Sequence, residues 1–227
     1  VKRGVRLGIL GSIAAVVFIS AAMRVQYVIT GMKDDSWHGE RLSYLPSSEA
    51  VEPYLLGFSE TFANYLWIRT MLYFGGHLKT DKEFPQLVHM VDMVTKLNPR
   101  FYPAYEFAAL MLPTTTGSLD AARTILSRGI THVGHTTWKL HYYMGYLYFE
   151  HYRDKERAAE FFSMASRHPD VPPYLPALAA RLYADAGRHE TGVFLLKSIY
   201  ETAENPQVKE RVLEKLREMG EVEKVKK

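Results

Sequence analysis

Cysteine is absent from the 227 residues, and its absence excludes disulfides, thiolate metal sites, covalent c-type haem attachment and a cysteine nucleophile. A bacterial lipoprotein anchor is excluded with them, because that lipid is carried on a cysteine. The compartment stays open, since a cysteine-free chain suits a reducing cytosol and an oxidising envelope space alike. No glycine-rich phosphate loop, nucleophile elbow or His-Glu-x-x-His pattern occurs, so the usual signatures of nucleotide, serine and zinc enzymes are all missing. Charge of one sign is scarce as well: 28 basic residues are interleaved with 25 acidic ones for a net charge of +3. That pattern leaves no electrostatic footprint for nucleic acid. Nor does any stretch alternate apolar and polar residues at the period of two that strands require.

What is present is an ordinary folding composition, 47% hydrophobic and 23% charged, in a chain long enough for one substantial core. Its start is different in kind. After Lys2, Arg3 and Arg6 the run from Leu7 to Met23 carries no charge, with Ser12 and Ser20 as its polar side chains. Seventeen apolar residues are short for a membrane span, but Arg24 can snorkel and Val25 to Ile29 extend the apolar character. A retained transmembrane signal anchor over residues 1–30 is therefore expected. A signal peptide cleaved after the small residues Ser20 and Ala22 is the competing reading. Basic residues precede the run, whereas Arg24 and Lys33 are offset by Asp34 and Asp35 behind it, so the N-terminus is expected in the cytoplasm and the bulk of the chain outside.

Residues 31–52 carry Gly, Ser, Pro and mixed charge without helical periodicity and read as a linker. From there to residue 206, helical spacing alternates with short turns, which predicts an all-α domain. Ala108, Gly145 and Ala180 fall at intervals of 37 and 35 residues as equivalent small positions in three helices. In Trp138 to Pro169, Gly145 is followed by Tyr148, Ala158, Phe162, Ala165 and Pro169. On those residues the chain resembles the tetratricopeptide repeat family. It departs from the pattern where His141 takes the family tryptophan position and where the Ala158 set falls one residue late, which predicts a longer turn around Arg153 to Lys155.

The next unit, Tyr174 to Pro206, repeats the scheme through Ala180, Tyr183, Gly187, Leu195 and Ile199. An earlier one runs from Phe101 through Ala108, turns at Gly117 and Ser118, and continues to Gly129. A divergent first unit, about Val51 to Pro99, is expected to hold a long aromatic helix that breaks at Gly75 and Gly76. Residues 207–227 supply a capping helix and tail, with Asn205 as cap, Pro206 in the first turn and Val208, Val212, Leu216 and Met219 as one apolar stripe. The resemblance implies a right-handed solenoid of three to four helical hairpins closed by that helix.

In such a solenoid the first helix of each hairpin lines a concave groove that binds other proteins. Carried over residue by residue, that places Lys139, Tyr142, Tyr146 and Phe149 towards the groove, with Tyr105 and Leu112 from the preceding unit and Arg181 from the following one. Tyrosines grip a partner at low entropic cost and Arg181 can meet a carboxylate, although rings at helical spacing more often pack into a core.

The histidines His132, His135 and His141 form the one cluster that invites a metal or haem reading. Two of them are expected in a loop without an acidic partner at ligand spacing, and His141 is expected to pack in the tryptophan position. Asp34 and Asp35 read as a solvated flank rather than an acid and base pair. No cofactor is expected. The resemblance implies a membrane-anchored, non-enzymatic scaffold, an assembly factor or accessory subunit for a pilus, secretion or respiratory complex. Its partners would be other envelope proteins, with the domain on the periplasmic face of a bacterial inner membrane. A permanent structural subunit is the alternative, distinguished by stoichiometric co-purification, and a histidine-dependent metal protein is the third.

Overall fold

The computed structural model describes residues 19–20, 23–24 and 46–221. The chain divides into two compact units, Val1–Arg41 and Leu42–Lys227, and the helices below belong to the second. Of the expected anchor, Ile19, Ser20, Met23 and Arg24 are described, each helical and exposed; the rest of it lies outside the described residues. So do Asp34 and Asp35. Among the described residues no helix is long and apolar enough to cross a membrane, and no strand occurs.

Local chemistry sets the helix boundaries. A single helical turn at Ser48–Val51 and a tighter one at Glu52–Leu55 stand where the linker was expected to be irregular, and Glu49 holds them to the domain through Lys96 at 3.1 Å. Then follow α1 (Ser59–Lys79), α2 (Leu87–Leu97), α3 (Tyr102–Thr115), α4 (Leu119–Val133), α5 (Lys139–Leu147), α6 (Lys155–Ser166), α7 (Leu175–Asp185), α8 (His189–Thr202) and α9 (Pro206–Glu218). Proline opens α3, α7 and α9, where its missing N–H costs nothing and its fixed φ suits the first turn. Asp154 caps α6 by accepting from the Arg157 amide at 2.9 Å, and Asn205 caps α9 by accepting from Gln207 at 2.9 Å. Gly187, at φ 81°, turns the chain between α7 and α8, a conformation in which a Cβ is strained.

Two expectations about breaks are corrected. Helix α1 runs straight through Gly75 and Gly76 to Lys79. Glycine inside a helix costs about 1 kcal/mol, and here packing outweighs it: Phe74 stacks on Phe84 at 5.2 Å and meets Phe107 edge-on at 5.1 Å. The longer turn expected around Arg153 to Lys155 is also absent. Helix α5 instead widens into one π-turn over Tyr148–Tyr152, and the left-handed Arg153 (φ 57°) leads directly to the Asp154 cap. The extra residue is absorbed inside the helix end, as π-bulges do.

Each helix packs on the next, and α2 on α4, α3 on α5 and α7 on α9 as well. One apolar core runs through the stack, with Leu66, Met90, Tyr105, Ile125, Met144 and Leu175 fully enclosed. Close approach is built on glycine. A Cβ on Gly145 would sit 2.7 Å from the Phe162 ring, one on Gly129 2.8 Å from the Tyr105 ring, and one on Gly192 2.8 Å from the Ala180 carbonyl. Ala108, Gly145 and Ala180 are all buried, in keeping with their reading as small contact positions.

Candidate protein-binding face

Helices α3, α5 and α7 each bury one side and leave another open. On α5 the open side carries Lys139 and Tyr146, the latter 41% exposed. Tyr142 beside them is half-buried, its ring 5.6 Å from Trp138 and 5.5 Å from Phe162. Burial first, then the neighbouring Tyr174 and Tyr146, raise the Tyr142 phenol above its ordinary pKa. Tyr174, at the start of α7 and 49% exposed, therefore continues the tyrosine strip from α5 onto α7. Phe149 is half-buried and packed against the core.

Arg181 lies farther along α7, exposed, and makes no ion pair among the described residues. It lines an open cleft of roughly 290 Å³ together with Tyr174, Leu178, Arg211, Lys215 and the carboxylates Glu214 and Glu218, so helix α9 supplies one wall. The other two cations there are already engaged, Arg211 with Glu214 at 2.6 Å and Lys215 with Glu218 at 2.7 Å. Arg181 is thus the cation of this cleft that makes no ion pair among the described residues. At the α3 end of the face, the Tyr143 hydroxyl donates to the Glu106 carboxylate. Tyr102 closes over the same pair, its phenol raised by burial and then by the Glu106 charge.

Two expected groove residues are not on this face. Tyr105 and Leu112 have no exposed surface and belong to the core. Tyr105 is the counterpart of Tyr142, three residues before the small position, but Gly129 on α4 lets its ring slide between helices. Its hydroxyl donates to the Pro99 carbonyl at 2.9 Å. Burial pushes that phenol up to about 12. Tyr143, Tyr174, Arg211 and Lys215 escaped the sequence reading. Tyr174 precedes the periodic part of its helix, and Arg211 and Lys215 lie outside the apolar stripe of α9.

His132 lies in the last turn of α4 rather than in the expected loop, His135 stands in the turn after it, both are exposed, and His141 is half-buried with its imidazolium disfavoured by burial and then by His168. Among the described residues no group of three or more metal-ligating side chains converges. A second cleft, roughly 310 Å³, is lined by Asp92, Asp120 and Thr124. Both aspartates are paired, Asp92 with Arg128 at 2.8 Å and Lys96 at 3.1 Å, Asp120 with Arg123 at 3.0 Å.

The chain matches no protein-family model, no curated protein and no solved structure.

Proposed function

We propose that this protein is a non-enzymatic scaffold of tetratricopeptide type, whose hairpins stack into a solenoid and whose α5–α7–α9 face binds another protein. The observation that carries the reading is the Tyr142–Tyr146–Tyr174 strip leading to Arg181, which lines an open cleft and makes no ion pair among the described residues. Tyrosine and arginine dominate protein interfaces because each combines a broad apolar contact with directed hydrogen bonds. Glycine-mediated contacts between helices, and contacts between alternate helices on top of those between neighbours, support the stacked-hairpin reading.

The apolar run Leu7–Met23 supports attachment to a cytoplasmic-type membrane with the helical domain outside. Tethering confines the face to the layer where membrane partners reside, so modest intrinsic affinity suffices for assembly. The role that follows is an assembly factor or accessory subunit of an envelope complex.

The test is co-purification from gently solubilised membranes, comparing wild type with a Tyr146→Ala/Arg181→Glu double variant. Both side chains are exposed, so the variant keeps its helical content and melting midpoint. A partner retained at unchanged stoichiometry by the variant refutes this face as the binding surface. Loss of the partner with the fold intact supports it.

A further inference from the structure

Six carboxylates among the described residues are half-buried: Asp92, Glu106, Glu150, Asp154, Glu156 and Glu221. All but Glu106 hold a cation. Asp92 pairs with Lys96 and Arg128, Glu150 with Arg153, Asp154 with Arg157, Glu156 with Arg188 and Glu221 with Lys197. Glu106 on α3 makes no ion pair among the described residues. One of its oxygens accepts from the Tyr143 hydroxyl of α5, and the other accepts from no described side chain. The cations nearest in sequence are Arg100, just before α3, and Lys139, one turn ahead of Tyr143 on α5. Both are exposed, and neither pairs with Glu106.

A carboxylate drawn partly out of water is costly unless a cation or several hydrogen bonds replace its hydration, and a single phenol replaces only part of it. The surroundings of Glu106 are aromatic. Tyr102, one turn before it on α3, has an enclosed hydroxyl that meets no partner at hydrogen-bond geometry. The Tyr143 ring has Tyr142 at 5.8 Å, inclined at 66°. Burial first, and then Glu106, raise both the Tyr102 and Tyr143 phenols above their ordinary range, so two neutral rings stand beside one negative charge. Ring faces and a carboxylate attract the same class of group, an organic cation. A metal ion is poorly served here, because one carboxylate beside donor hydroxyls supplies too few ligands.

We infer that Glu106 is a subsite for a lysine or arginine side chain of the bound protein, at the α3 end of the binding face. The inference rests on that face being the binding surface and adds the charge of one residue that the partner presents. The cation takes the second carboxylate oxygen while Tyr143 keeps the first, and the apolar stem of the side chain lies against the tyrosine rings.

The probe is a display library of random twelve-residue peptides, selected on the full chain in detergent micelles. Wild type is expected to enrich peptides that carry lysine or arginine. One selected peptide is then titrated by fluorescence anisotropy in a double-change cycle, with Glu106→Gln on the protein and methionine for the basic residue on the peptide. Each change alone is expected to weaken binding about tenfold, and the two together no more than either alone, because both remove the same contact. Glu160→Gln, at an exposed carboxylate on α6, is expected to change nothing. The amide introduced by Glu106→Gln still accepts from Tyr143, an unchanged melting midpoint shows the fold intact, and the peptide arm leaves the protein unaltered. The subsite is overturned if the selected peptides lack basic residues, if Glu106→Gln binds them as tightly as wild type, or if the two losses add. If no peptide is selected, or if the selected ones bind the Tyr146→Ala/Arg181→Glu variant undiminished, the binding face itself fails and the subsite fails with it.

Discussion

Glycine behaves oppositely at the two ends of this domain. From α3 to α8 each helical glycine at a crossing meets a ring or a carbonyl, so the missing Cβ is where the neighbour sits. On α1 the equivalent space at Gly75 and Gly76 is empty. The lesson is that the helices from α3 to α8 cross with their glycine positions filled, whereas α1 leaves its glycine positions open. The largest expected effect tests the filled crossings. Tyr105→Ala removes a fully enclosed ring wedged against Gly129 and should cost about 3–5 kcal/mol, read as a fall in the urea midpoint at unchanged slope. A cost near zero would mean that Tyr105 faces an open groove after all.

Adding a methyl group separates the two regions more finely. Gly145→Ala forces a Cβ into the Phe162 ring, itself 2% exposed and unable to move away freely. The expected cost is roughly 1–3 kcal/mol. Gly75→Ala meets nothing and removes unfolded-state entropy, so the protein should gain about 0.4–1 kcal/mol. Thermal melts of the two variants read the opposite signs. Equal effects of Gly75→Ala and Gly145→Ala would erase the distinction between open and filled positions.

How much of this was legible in the residues follows the same division. The all-helical class, the caps at Asn205 and Pro206, the Gly187 turn and the small positions Ala108, Gly145 and Ala180 are local or periodic signals, and the structure carries each of them. The failures came where tertiary packing overrides local preference. Gly75 and Gly76 look like a break, yet the Phe74, Phe84 and Phe107 cluster carries the helix through them. An extra residue looks like a longer loop but is taken up as a π-turn. The face was half legible: periodicity brings Lys139, Tyr146 and Arg181 to the surface, but it treats Tyr105 and Tyr142 alike. What tells them apart is Gly129, on another helix and 24 positions from Tyr105, and no single-helix pattern contains it.

The smallest expected effect probes whether α5 is sealed as the filled crossings require. Burial, then the nearby His168, lowers the His141 pKa below its ordinary value of about 6.5. The unfolded chain then takes up a proton on this imidazole at a pH where the folded chain does not, so acid favours unfolding. The contribution is fully present above about pH 6.5 and is lost as pH falls through the lower folded value. Urea titrations at neutral pH and at successively lower values should show wild type losing more stability than His141→Gln, which cannot titrate. Other histidines respond equally in both proteins, so the difference in slope reports position 141 alone. Parallel slopes would place His141 in contact with water and leave the α5 crossing as open as the face of α1.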